Sequence, residues 1–137
     1  MTQVAEKIKS AYDILVEASE GAEQAVKDCT PQAIIVGEAI GLSNEIDESK
    51  PTYYIEGGVC GFASVVIKPA RGKFVAELKK RKIGSAHYYG GYSVSSWEFA
   101  PSIRRDQSYE RACAAASGAV KVLRSYGINA YVDSRID

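Results

Sequence analysis

The sequence predicts an α+β domain: an antiparallel sheet of about four to five strands packed with a long N-terminal helix and two shorter helices. Three observations predict it. Apolar residues recur by fours and threes through the first 29 residues, short β-branched runs are separated by glycine turns, and two later helix patterns are interleaved with those runs. At 137 residues the chain is expected to be a single ligand-binding domain, with the long helix over 1–29 and the sheet with two helices over 33–137.

Each element has its own reason. Val4, Ile8, Ala11, Leu15, Ala18, Ala22, Ala25 and Cys29 form one narrow, alanine-rich stripe, predicting a helix over 3–29. Gly21 weakens its middle and marks a potential break, and Thr30-Pro31 ends it. Ala33 to Val36 reads as a strand, 43–51 (including Asn44) as an acidic loop, and Thr52 to Ile55 as a second strand. Glu56-Gly57-Gly58 is read as the turn joining that strand to a third, Val59 to Lys68, in an antiparallel hairpin. In the third strand Ala63, Val65 and Ile67 share one face.

Lys73 to Lys82 forms a short helix with Phe74, Val75 and Leu78 inward and Gly84 at its left-handed cap. Tyr92 to Phe99 is a fourth strand, in which Trp97 and Phe99 share a face with Ser93 and Ser95. Asp106 or Ser108 caps a last helix with Tyr109, Ala112, Cys113, Ala116, Val120 and Leu123 inward. Gly127 and Ile128 end that helix, and Ala130 to Val132 is the final strand.

Composition narrows the function. The 17 basic and 17 acidic residues cancel, which argues against a non-specific DNA binder. Three scattered cysteines and a single histidine, His87, make no metal motif, and free thiols in a reducing compartment are expected. No apolar run is long enough for a membrane span, and the polar N-terminus is not a signal peptide. The glycine stretches lack the lysine-serine/threonine ending of a phosphate loop and read as turns. His87 is a potential general base, but no nucleophile motif accompanies it. No enzyme and no cofactor are therefore expected.

What remains are aromatics and arginines at element junctions. Tyr88, Tyr89, Tyr92, Trp97 and Phe99 form the aromatic group, in which ordinary core packing competes with base stacking. Trp97, beside small serines at a strand end, is the foremost stacking candidate, and Tyr89 a further one. Arg71, Arg104, Arg105, Arg124 and Arg135 lie at or near junctions, where a guanidinium can clamp phosphate through two parallel hydrogen bonds. Arg124 alternatively satisfies a helix dipole, and Arg135 alternatively pairs with a carboxylate. The run Lys79 to Lys82 reads as a solvated helix end.

The segment from Gly61-Phe62 to Asp137 carries a further pattern. It comprises Lys73-Phe74 with Leu78, Tyr89-Gly90-Gly91-Tyr92, Gln107-Ser108-Tyr109-Glu110-Arg111, and the closing Gly127 to Asp137 with Ser134-Arg135-Ile136-Asp137. This pattern resembles the Thoeris anti-defence sponges, phage proteins that sequester the cyclic ADP-ribose signal made by bacterial TIR enzymes. The resemblance implies a homodimer or higher homo-oligomer in the cytoplasm of the infected host, with pockets where subunits meet. It also implies binding without cleavage, and cyclic di- or trinucleotides in a second site. Carried over by position, it makes Arg71, Trp97, Gln107 and Arg124 the pocket candidates. Trp97 would stack on adenine, Gln107 would hydrogen-bond base or ribose, and the arginines would hold phosphates. Two other classes compete: a phage inhibitor acting by protein contact on a host defence complex, and a small nucleotide hydrolase.

Overall fold

The computed structural model describes residues 9–41, 43 and 45–137. Val4 and Ile8 of the expected stripe, and Asn44 of the expected acidic loop, lie outside them. The first helix, α1, spans Ala11–Asp28, and Ser10 caps it by accepting a hydrogen bond from the Asp13 N–H at 3.1 Å. Gly21 does not break it. A Cβ at Gly21 would meet Val122 at 2.8 Å and the Gly118 carbonyl at 3.1 Å, so glycine is the residue that lets a second helix cross closely.

That second helix is α4, Tyr109–Ser125. The stripe of α1 (Leu15, Ala18 and Ala22) is buried in the chain's own core, and α1 lies mainly across α4. Ala115 and Ala119 are fully buried beside the expected Ala112, Ala116, Val120 and Leu123. Tyr109 and Cys113 are only half-buried. The face is wider than a single stripe because α4 has α1 on one side and the sheet on the other.

The fold is α+β with antiparallel sheets, the larger of four strands, as the sequence predicts, but the strand pairing differs from the expected hairpin. A two-stranded sheet pairs β1, Ile34–Gly37, with β2, Thr52–Ile55. The main sheet has the order β4-β5-β3-β6, all antiparallel, from Ser85–Ala86 (β4), Tyr92–Ser95 (β5), Gly61–Ile67 (β3) and Ala130–Ile136 (β6). The expected hairpin between 52–55 and 59–68 therefore does not form, although the Gly57-Gly58 turn does, closed by Gly58 N–H to the Ile55 carbonyl at 3.2 Å. The physical reason is the demand of the central strand. Ala63, Val65 and Ile67 face the helices and are buried, so their neighbours must bring equally buried side chains. Tyr92 and Val94 on one side and Ala130 on the other do this, whereas Thr52, Tyr53 and Tyr54 are exposed.

The strand expected over Tyr92 to Phe99 stops at Ser95. Ser96–Phe99 forms a short helix, α3, followed by a 3-10 turn at Pro101–Ile103. Trp97 and Phe99 accordingly do not share a strand face. Phe99 is driven into the core at 1% exposure, and Trp97 remains 37% exposed.

The remaining helix, α2, spans Lys73–Lys80 and buries Phe74, Val75 and Leu78. The helix-ending left-handed residue is Lys82 (φ +59), two positions before Gly84, which is itself left-handed (φ +81). The Ile83 N–H returns to the Leu78 carbonyl at 2.9 Å, placing the apolar Ile83 where such endings require one. Gly84 instead sits tight against Tyr92 and the Ser93 carbonyl. The end of α4 is as the sequence predicts, with Gly127 at φ +77 and Ile128 N–H bonded to the Leu123 carbonyl at 3.1 Å. No helix among the described residues is long and apolar enough to cross a membrane.

Candidate functional site

All helices pack on one face of the main sheet. By register, the other face presents Phe62, Ser64 and Val66 of β3, Ser93 and Ser95 of β5, and Tyr131, Asp133 and Arg135 of β6. At the Gly61 end of this face is a cleft of about 320 Å³. Its lining includes Phe62, Ser95, Trp97, Arg104, Arg105 and Gln107. The volume is at the small end of the range for ligand pockets, roughly 300–1,000 Å³.

The local sequence builds this cleft in three steps. The helical turn at 96–99 lifts Trp97 outward while Phe99 anchors it from below. The 3-10 turn then places Arg104 so that its guanidinium carbon lies 5.0 Å from the centre of the Trp97 ring, in cation–π contact. Finally, Gly61 N–H bonds the Gln107 carbonyl at 3.0 Å, fixing the segment that leads into α4. The Gln107 Oε1 is 3.9 Å from the Cys60 thiol, and Gln107 lines the cleft.

Both capping candidates for α4 take part. Ser108 is the cap, its Oγ accepting from Arg111 N–H at 3.3 Å and donating to the Gly57 carbonyl at 2.6 Å. Asp106 accepts from Ser108 N–H at 2.9 Å and from Arg111 Nη1 at 2.8 Å. That hydrogen bond to Asp106 is the chief reason the Arg111 pKa is raised. The one carboxylate in the cleft lining is thus already neutralised. Among the described residues neither Arg104 nor Arg105 forms an ion pair with a carboxylate.

Of the residues predicted from sequence, the structure brings together Trp97, Gln107 and, at the rim, Arg135. The Arg135 guanidinium carbon is 5.4 Å from the centre of the Phe62 ring, and Phe62 lines the cleft. Arg71 lies at the opposite end of β3. It lines a separate cleft of about 260 Å³ with Lys68, Gly72, Lys73 and Asn129 at the start of α2. Arg124 donates from Nε to the Ala130 carbonyl at 2.8 Å, tying α4 to the start of β6, and lines neither cleft. Tyr89 lies on the β4–β5 loop, edge-on to Tyr88 with centroids 4.9 Å apart, and also lines neither. Arg104 and Arg105 are the cleft residues that the sequence singled out only as junction arginines, and Phe62 was not singled out at all. Its signal was weak: one aromatic at an outward position of a largely apolar strand, next to Ser64 on the same face.

His87, the potential general base, is engaged at both ring nitrogens. Nδ1 accepts from Tyr89 N–H at 3.2 Å, so Nε2 carries a proton and donates it to Asp133 at 2.9 Å. Among the described residues no group of three or more histidine, cysteine or acidic side chains is placed to hold a metal ion. Cys29 has its pKa raised by burial first, and then by the nearby Glu110. The chain matches no family model, no curated protein and no solved structure.

Proposed function

We propose that this chain binds a flat, anionic ligand of the nucleotide class in the Trp97 cleft and releases it unchanged. The observation that carries the proposal is the Trp97–Arg104 stack over a cleft whose arginines lack carboxylate partners among the described residues. A base on an exposed indole gains roughly 1–3 kcal/mol from stacking. Arg104 and Arg105 offer charge-assisted hydrogen bonds to phosphate, and Gln107 supplies an amide that donates and accepts at a base edge or ribose. The balanced overall charge favours a small anion over a nucleic acid, because the positive charge is local rather than spread over the surface.

The resemblance to the Thoeris sponges supports the finer reading: a cyclic ADP-ribose signal sequestered in the host cytoplasm during phage infection. A ligand of that kind combines an adenine to stack with two phosphates to clamp.

Calorimetric titration with cyclic ADP-ribose, ADP-ribose and ADP, followed by mass spectrometry of the ligand recovered after denaturation, tests both levels. Binding with an unchanged ligand mass is expected. Absence of binding for all three would overturn the nucleotide reading, and a linear product would replace it with hydrolysis.

A further inference from the structure

A second stripe of α1, displaced from the contact of Gly21 and Ala25 with Gly118, borders a groove of about 450 Å³. Tyr12, Leu15, Val16, Ser19, Glu20 and Glu23 form its first wall. They follow one another at intervals of one, three or four, so they make one continuous helical stripe. From Tyr12 to Glu23 that stripe runs about 16 Å, or three turns. Ile83, Glu98, Phe99 and Pro101 form the opposite wall. The floor is apolar, with Leu15 8% exposed and Phe99 1%.

No lysine or arginine among the described residues lines this groove, yet it carries acids on both walls: Glu20 and Glu23 on α1, and Glu98 across from them. Among the described residues none of the three forms an ion pair. Glu23 accepts from the Ser102 backbone N–H at 3.4 Å and from the Ser102 hydroxyl, both neutral donors. Glu98 is half-buried, and burial holds its pKa above the ordinary carboxylate value. A carboxylate desolvated in this way is stabilised by an incoming cation more than an exposed one is. Arg81, whose guanidinium carbon lies 4.5 Å from the centre of the Tyr12 ring, is already paired with Glu77.

We propose that this groove takes an amphipathic helical segment of a partner protein, with leucine-type side chains on its inner face and lysine or arginine on both flanks. Length, floor and charge each point to that occupant. Three turns of α1 match about three turns of a helix laid alongside, whose apolar residues at i, i+3 or i+4, and i+7 seat over Leu15, Val16 and Phe99. Carboxylates on both walls call for cations on both sides of that apolar row, which one small organic cation cannot supply. The same carboxylates repel phosphates, so a nucleotide in the Trp97 cleft does not compete for the groove. The short helix α3 serves both places, with Trp97 lining the cleft and Glu98 the groove.

Glu98 marks the groove as a recognition surface. A lone carboxylate on an apolar wall costs stability through its desolvation, and the hydrogen bond from the Gly84 backbone offsets that cost only in part. A residue chosen for the fold alone would be apolar or an amide at this position. Stability and recognition therefore make opposite demands on one side chain, and the two can be read separately.

Fluorescence anisotropy without any nucleotide tests the proposal, and so leaves the reading of the Trp97 cleft untouched. The probe is a labelled synthetic helix of about 14 residues, four turns, with leucine along one face and lysine on both flanks. A twin peptide carries glutamate at every lysine position. The intact chain is expected to bind the lysine probe in the micromolar range, more weakly as salt rises, and to ignore the twin. Glu98→Gln is expected to weaken the lysine probe roughly tenfold while raising the melting temperature, a combination that a purely structural role would not produce. Glu20→Lys is expected to weaken it severalfold, and Val16→Arg to abolish binding by filling the groove. If Val16→Arg fails to fold, Ser19→Arg, at the centre of the stripe, takes its place. No binding of the lysine probe, equal binding of the twin, or an affinity indifferent to both Glu98→Gln and Glu20→Lys would each overturn the proposal. So would displacement of the probe by micromolar hexylammonium, which gives the groove to a small cation. A dimer of the chain that Val16→Arg dissolves would give it to a second copy and overturn the proposal equally.

Discussion

Gly118 approaches Gly21 so closely that a Cβ built on it would stand 2.5 Å from the Gly21 carbonyl oxygen and 2.9 Å from the Ala25 Cβ. The backbones of α1 and α4 therefore touch, and the alanines around them, Ala18, Ala22, Ala115 and Ala119, are all fully buried. Dispersion between closely packed main chains replaces the larger side chains that usually fill a helix seam.

Gly118→Ala is expected to destabilise the protein. Alanine gains about 1 kcal/mol in intrinsic helix propensity, but the added methyl meets a carbonyl oxygen that cannot rotate away. Overpacking of this kind costs about 1–3 kcal/mol. The net outcome is a melting temperature several degrees lower, read by circular dichroism. A higher one would show that the helices part freely.

Trp97→Ala is expected to abolish nucleotide binding with little change in thermal stability, because the indole is partly solvated and its removal opens no closed cavity. Phe99→Ala, two residues on, is expected to cost about 3–5 kcal/mol, as deletion of a core aromatic does. Calorimetric titration and thermal melts on both variants check the contrast. A large loss of stability in Trp97→Ala would reassign the indole to the core.

Lys82→Gly is expected to stabilise the fold. Lysine pays about 1–2 kcal/mol for left-handed backbone, whereas glycine adopts it freely at an unfolded-state cost of about 0.5–1 kcal/mol. The difference is a gain of up to about 1.5 kcal/mol, measurable by urea denaturation at constant slope.

Burial raises the pKa of Glu98, opposed by a hydrogen bond from the Gly84 backbone. Between its ordinary value and the raised one, the folded state binds more protons than the unfolded state, so this group's contribution to stability falls as pH rises through that window. Glu98→Gln is expected to remove this decline and to be more stable than the parent at neutral pH. Melts from about pH 4 to about pH 7, which span the carboxylate range, check it. Parallel pH profiles for the two proteins would rule out the effect.

The helices were legible wherever apolar spacing had only one reading. Leu15, Ala18 and Ala22 sit where the stripe placed them, and so do Phe74, Val75 and Leu78. The alternation Trp97-Glu98-Phe99 misled, because apolar-polar-apolar is also the pattern of one helical turn with one residue in and one out. The choice between the two was made by the core, which captures Phe99. The turn at Gly57-Gly58 was legible, but its pairing was not. Whether β2 joins β3 or β1 depends on what covers β3 from residues about 30 and 70 positions later. The site followed the same logic. Trp97 and Gln107 converge because β5 and the start of α4 end at the same edge of β3. Arg71 and Arg124 looked equivalent to them in sequence and lie elsewhere, because a junction position does not say which end of the sheet it occupies.

The arm formed by β1, β2 and the segment between them returns to the point where it left. The Gln32 N–H bonds Glu110 Oε2 at 2.6 Å, the Gly57 carbonyl accepts from Ser108 Oγ, and a Cβ on Gly58 would stand 2.5 Å from the Gln32 carbonyl oxygen. Both ends are clamped to the same first turn of α4 and to each other. The segment between them is expected to behave as a cassette: excised, with its stumps joined by a short glycine connector, it should leave the strands of the main sheet in place, which circular dichroism and a thermal melt of the shortened chain check. The same clamp would accept an unrelated hairpin, so the fold doubles as a scaffold on which a recognition element is exchanged as one piece.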